Sequence, residues 1–159
     1  DEAIEKVAER DNKRVTGNAA GAMLLGSGGA GLYYANKDRA IAERAVEASS
    51  KSMKKAKSGA IKAGGLGVST AISQPIMDKI MSKSFGLPKG SVNMKNSNAI
   101  YGMLSAANGG VAAKHYMDAK KQTSAASKAL KNSKLKGAAG VAGLGIGAGT
   151  LLAANKKKD

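Results

Sequence analysis

Charge is missing from four long stretches of this chain, and that absence limits its folding more than any other feature. Val15–Asn36, Ala63–Met77, Asn96–Ala113 and Gly137–Asn155 contain no Asp, Glu, Lys or Arg over 22, 15, 18 and 19 residues. Between them lie basic segments, with net charges of +5 for Lys37–Lys62, +3 for Asp78–Lys95 and +6 for Lys114–Lys136. A charge-free run of this length needs protein or lipid along at least one face, while each basic segment needs water or an anionic partner. β-Branched and aromatic residues are sparse and strict alternation is absent, so strands are not expected. The basic segments read as helices. Asp38, Glu43 and Glu47 come early and Lys crowds late in Asp38–Lys57, which complements the helix dipole.

The stretches are also related to one another. A slide of 80 residues pairs Asn18, Ala19, Met23, Leu24, Gly29 and Asp38 with Asn98, Ala99, Met103, Leu104, Gly109 and Asp118. A slide of 78 places Gly59, Ala60, Gly65, Leu66 and Gly67 on Gly137, Ala138, Gly143, Leu144 and Gly145. Two windows in the same order at nearly the same offset indicate an internal duplication. The expected fold is all-α, with two tandem helical-hairpin-like units made of glycine-zipper helices and basic connecting helices. The expected boundaries are a charged N-terminal helix over 1–14, a first repeat over 15–80, a hinge over 81–95, and a second repeat with a basic tail over 96–159. The hinge holds Gly86, Pro88 and Gly90, all strong breakers. Pro75 is expected to end or kink a helix, or to begin a short new one.

The glycines need a physical justification. The chain has 21, and each one inside a helix costs about 1 kcal/mol relative to Ala. Gly137, Gly140, Gly143, Gly145, Gly147 and Gly149 crowd into one run. Small residues four apart let helix backbones approach closely, and Gly17/Gly21, Ala22/Gly26/Ala30 and Gly143/Gly147 have that spacing. The residues expected to form a helix-packing interface are Gly17, Gly21, Gly26, Gly65, Gly109, Gly143 and Gly147. Ala and Gly bury little apolar area per residue, so close helix packing or a homo-oligomer has to supply the stability.

Three of the four charge-free stretches approach the length of a membrane span, although Gly, Ala, Ser and Asn dilute their hydrophobicity. Tyr33, Tyr34, Tyr101 and Tyr116 lie near their ends, where an interfacial belt would place them. All internal loops are basic, which leaves the orientation in a membrane unspecified. These features predict a chain that associates with membranes conditionally. The charged N-terminal segment does not read as a signal peptide.

The net charge is +15, carried by 22 Lys and only four Arg. Lys neutralises phosphate without reading base edges, so the expected partners are DNA bound non-specifically or an anionic surface. The residues expected to make these contacts are Lys54, Lys55, Lys57, Lys120, Lys121, Lys131, Lys134 and Lys136. Catalytic chemistry is not indicated. His115 is the single histidine, there is no Cys, and neither a metal site nor a cofactor is expected. Gly26–Gly31 matches the dinucleotide pattern G-x-G-x-x-G but lacks the strand and crossover unit that give the pattern its meaning.

A small, Lys-rich, Gly/Ala-rich helical chain with runs such as Gly17–Gly31 and Gly137–Gly149 resembles the internal virion (ejection) proteins of short-tailed bacteriophages. The resemblance implies storage in the virion beside packaged DNA and other virion proteins. It also implies later movement into the host cell envelope, where the chain would oligomerise and help DNA pass. Two other classes share the composition: a purely structural capsid or tail component, and a helical pore-forming toxin.

Overall fold

The protein is described by a computed structural model covering residues 2–156. The last three residues of the expected basic tail, 157–159, lie outside the described part. Two α-helices account for nearly all of it: α1, Glu2–Phe85, and α2, Lys95–Asn155. No strand occurs among the described residues. The all-helical class is therefore as the composition predicts, but the segmentation is simpler. Val15–Met77 lies wholly inside α1, and no turn divides it into a hairpin. Pro75 does not end the helix either. Its ring removes one N–H to the Ala71 carbonyl, and the flanking turns continue.

The chain reverses in the expected hinge. Gly86 follows the last residue of α1 at φ +64° and Gly90 sits at φ +83°, the left-handed region that glycine enters without strain. The Leu87 N–H returns to the Met81 carbonyl at 3.2 Å. One side chain organises the return. Gln74 donates to the Val92 carbonyl at 3.0 Å and accepts from the Met94 N–H at 2.9 Å, so its amide pairs with the incoming chain as another strand's backbone would. Asp78 Oδ1 accepts from both Gln74 and the Gly90 N–H at 2.9 Å. Asn93 Oδ1 accepts the Lys95 N–H at 2.8 Å and opens α2.

The chain divides into two compact units, each an antiparallel pair of helical segments. One comprises Asp1–Ala45 with Ala125–Asp159, and the other comprises Val46–Ser124. In the first, Gly17 lies against Ala154, Gly21 against Leu151 and Gly31 against Gly140. Its two charge-free stretches, Val15–Asn36 and Gly137–Asn155, therefore lie side by side. In the second, Ser73 hydrogen-bonds Asn98, Gly67 faces Ser105 and Gly59 faces Ala112. Ala63–Met77 is likewise paired with Asn96–Ala113. In each unit, charge-free helix lies against charge-free helix and basic helix against basic helix.

The core is unusual in its content. Among the described residues the buried apolar ones are Ala35, Ala42, Ala56, Ala112, Ala119 and Ala126, and no larger side chain is fully buried. Leu, Ile, Val and Met side chains stand largely exposed around both helices, among them Met23, Ile61, Met103, Val141 and Leu152.

The Gln74 contacts predict the first outcome. Gln74→Ala leaves the Met94 N–H and the Val92 carbonyl without their partner and should lower unfolding free energy by about 1–3 kcal/mol. Equilibrium denaturation checks the magnitude. Faster amide exchange at Met94, with exchange in the middle of α2 unchanged, checks the location.

Candidate functional site

The feature that dominates both units is a seam of small residues. In the first unit, Gly21, Gly28, Ala35 and Ala42 follow one another at seven-residue intervals along α1. They face Gly147, Gly140, Ser133 and Ala126, which are spaced the same way along α2. In the second unit the rows are Ser49, Ala56 and Ala63 against Ala119, Ala112 and Ser105. A seven-residue repeat keeps one face of a helix turned continuously toward its partner, as in a coiled coil. Here the repeat is filled by the smallest residues available, so the helix surfaces meet at the backbone.

The glycine layers show how close that approach is. A Cβ placed on Gly28 would lie 2.6 Å from the Leu144 nitrogen and 2.7 Å from the Gly140 carbonyl oxygen. One on Gly140 would lie 2.8 Å from both the Gly28 oxygen and the Leu32 nitrogen, and one on Gly147 would lie 2.8 Å from the Leu25 nitrogen. These neighbours are main-chain atoms and cannot swing aside as a side chain can. The serine layers use the same proximity differently. Ser49, Ser105 and Ser133 each donate across the seam to a main-chain carbonyl, of Ala119 at 3.1 Å, Ala63 at 2.8 Å and Ala35 at 2.8 Å. Ser49 also meets Thr123 at 2.8 Å, and Ser52 donates to Gln122 at 3.1 Å. A short hydroxyl reaches the opposing backbone only where no larger side chain holds the helices apart.

The residues expected at a packing interface fall into two groups. Gly17, Gly21, Gly143 and Gly147 lie in the seam, where an added Cβ would come within 2.6–3.1 Å of its nearest neighbour, and Gly109 makes ordinary contact with Ala63 at 3.9 Å. Gly26 and Gly65 face open space. The close approaches seen are made within the chain. Four-residue spacing identifies Gly17, Gly21, Gly143 and Gly147 but overlooks Gly28 and Gly140, the tightest pair. It also overlooks the alanines and serines that continue their row. Seven-residue spacing of Gly, Ala and Ser was the available signal, from Gly21 to Ala63 and again from Ser105 to Ala154. The dinucleotide-like Gly26–Gly31 is interior helix, and its Gly28 and Gly31 are occupied by contact with α2.

The lysines expected to meet anions are all exposed: Lys54, Lys55, Lys57, Lys120 and Lys121 in the second unit, and Lys131, Lys134 and Lys136 in the first. Lys136 differs from the rest. It bonds Asp38 at 2.6 Å across the seam and stands 5.8 Å above the Tyr34 ring, so its charge is already partly engaged. The remaining ion pairs are exposed i,i+4 pairs on α1: Glu2–Lys6, Glu9–Lys13, Arg39–Glu43 and Glu47–Lys51. Hydrogen bonds from Lys13 and Lys51 hold the Glu9 and Glu47 carboxyls below their ordinary pKa. At such exposure these pairs add little stability. The second unit holds twelve Lys against Glu47, Asp78 and Asp118, whereas all four Arg lie in the first. His115 is half-buried. No cluster of three metal-binding side chains occurs among the described residues.

No protein-family model, curated protein or solved structure matches this chain.

The seam sets opposite outcomes for two glycine groups. Gly28→Ala should destabilise the protein by about 1–3 kcal/mol, because overpacking against fixed backbone outweighs the gain in helix propensity. Gly145→Ala, at a glycine with nothing within 4 Å, should stabilise by up to about 1 kcal/mol. Thermal and chemical unfolding followed by circular dichroism would show the two shifts in opposite directions.

Proposed function

We propose that the chain is a non-enzymatic structural protein of a phage particle, stored beside packaged DNA, that oligomerises and helps DNA pass the host envelope. The observation that carries this reading is the banding of charge. Charge-free helix lies beside charge-free helix and lysine-rich helix beside lysine-rich helix, so each unit offers separate zones for apolar and for anionic partners. A soluble monomer has no need of so many exposed Leu, Ile, Val and Met side chains, which suit packing against further copies, other virion proteins or lipid. Gly26, Gly29, Gly145 and Gly149 have open space where a Cβ would sit, which supports glycine-zipper contacts between copies. We also infer a tandem duplication in which each copy lies in one long helix, because the offsets of 80 and 78 residues carry residues 15–77 of α1 onto α2.

The test is binding of duplex DNA as a function of salt. Contacts made by Lys to phosphate predict affinity that is indifferent to sequence and falls steeply with ionic strength. Replacing both Lys120 and Lys121 with Gln should lower the log–log salt slope by about 2, roughly one per phosphate contact. Binding that is flat between low and physiological salt, or that prefers one sequence strongly, would count against the reading.

A further inference from the structure

We infer that the charge-free part of the first unit crosses an anionic lipid bilayer as an antiparallel helix pair. This rests on the reading that the charge-free helices can meet lipid, and it adds which pair does so, in what geometry, and with which lipid surface.

Length selects this pair. Gly17 lies against Ala154 and Ala35 against Gly137, so about nineteen residues of each helix are charge-free over the same axial span. At a rise of 1.5 Å per residue the band is about 28 Å long, close to the roughly 30 Å hydrocarbon core. The corresponding band of the second unit pairs Ala63–Met77 with the start of α2, and at 15 residues it reaches only about 22 Å. By length and composition α2 is the one helix among the described residues with an 18-residue window able to cross a membrane, 11% of it buried, so α1 would cross only by packing along α2.

Charge borders the band at both ends. Lys13, Arg14 and Lys156 stand exposed at one end, and Lys37, Arg39 and Lys134 at the other. Cations at both levels complement anionic headgroups. Tyr33 and Tyr34 lie exposed at the second end, at the depth where amphipathic rings settle.

The interior of the band is suited to lipid. Ser27 and Thr150 donate to carbonyls of their own helices at 3.0 and 2.8 Å, and Asn155 donates both to the Leu151 carbonyl and to Asn18. The Ser27, Thr150 and Asn155 donors are thus satisfied within the helix pair. The seam changes character here as well. Its Gly–Gly layers, Gly21 with Gly147 and Gly28 with Gly140, fall inside this band, whereas Ala and Ser fill the rows of the basic segments and the Ala63–Ser105 row of the shorter band. In water, burial of Ala and cross-seam serine bonds can hold helices together. In lipid that hydrophobic drive is absent and close backbone packing has to replace it, which is what Gly supplies.

The test uses the full chain, which has no Cys, with single-cysteine variants carrying an environment-sensitive fluorophore. Labels go at Ala142→Cys inside the band and Ser58→Cys in the basic segment, both exposed in the fold. With vesicles of phosphatidylcholine and phosphatidylglycerol, the label at 142 should shift blue and respond to quenchers placed deep in the acyl chains, while that at 58 stays in water. Ile146→Lys puts a charge at the centre of the band and should weaken vesicle binding by about a hundredfold, with helicity in solution unchanged. Val68→Lys, exposed in the shorter band, should leave binding within about twofold. A label at 142 that stays in water, that responds only to headgroup-level quenchers, or an Ile146→Lys variant that binds as the parent does would overturn the inference. DNA binding and self-association measured without lipid test the proposed function separately, so the two can fail independently.

Discussion

The distance at which two helix backbones can meet governs the rest of this structure. A pair of helices joined by Leu and Ile would bury large side chains and leave its other faces polar. This pair does the reverse. Gly21, Gly28, Gly140 and Gly147 bring main chain against main chain, and Ala or Ser occupies the same rows elsewhere. Buried area per residue is then small, so stability has to come from dispersion at short range, from serine hydroxyls reaching the opposite carbonyls, and from the length over which the seam runs. A short hairpin on this plan would be marginal; long helices repeat the contact many times.

Because the seam consumes only small residues, the large apolar side chains are pushed outward, and this links packing to function. Met23, Ile61, Met103, Val141 and Leu152 are exposed because no room for them exists between the helices. The same displacement leaves the lysines of the described residues exposed, and the ion pairs among those residues are Lys136 with Asp38 and the i,i+4 pairs along α1. The fold thus hides its smallest residues and displays both its most apolar and its most charged ones.

Much of this was legible in the sequence. Sparse strand formers gave the helical class, and Gly86 and Gly90 marked the reversal, since both adopt positive φ there. The charge-free stretches were visible as such, but their partnership was not, because composition says nothing of which stretch lies against which. A duplication read as two hairpins suggested that neighbouring stretches pair. In fact the chain turns once, and the first pairs with the fourth while the second pairs with the third. Pro75 does not end α1 for a local reason: proline costs about 3 kcal/mol in an isolated helix, yet neighbouring tertiary contacts, with Gln74 bound to Val92 and Met94, hold the surrounding turns. Gly28 and Gly140 escape a four-residue pattern because they belong to a seven-residue row that runs through Ala and Ser as well as Gly.

The exchange of Gly for Ala and Ser along one continuous row bears on why the chain tolerates so many glycines. If close approach alone were needed, Ala42 and Ala56 show that Ala layers suffice where the flanking helix is basic and wet. Glycine costs more in helix propensity and gains nothing from hydrophobic burial, so placing it in the charge-free band is uneconomical in water. The balance changes where water is excluded. The entropic penalty of Gly is partly independent of solvent, but the contacts it permits, including Cα–H to carbonyl approaches, strengthen as the dielectric falls. A sequence that places its Gly–Gly layers in the long uncharged pair and Ala or Ser in the rows of the second unit is thus consistent with a different environment for each unit, and this partition, rather than overall hydropathy, distinguishes the first unit's band from the shorter one in the second.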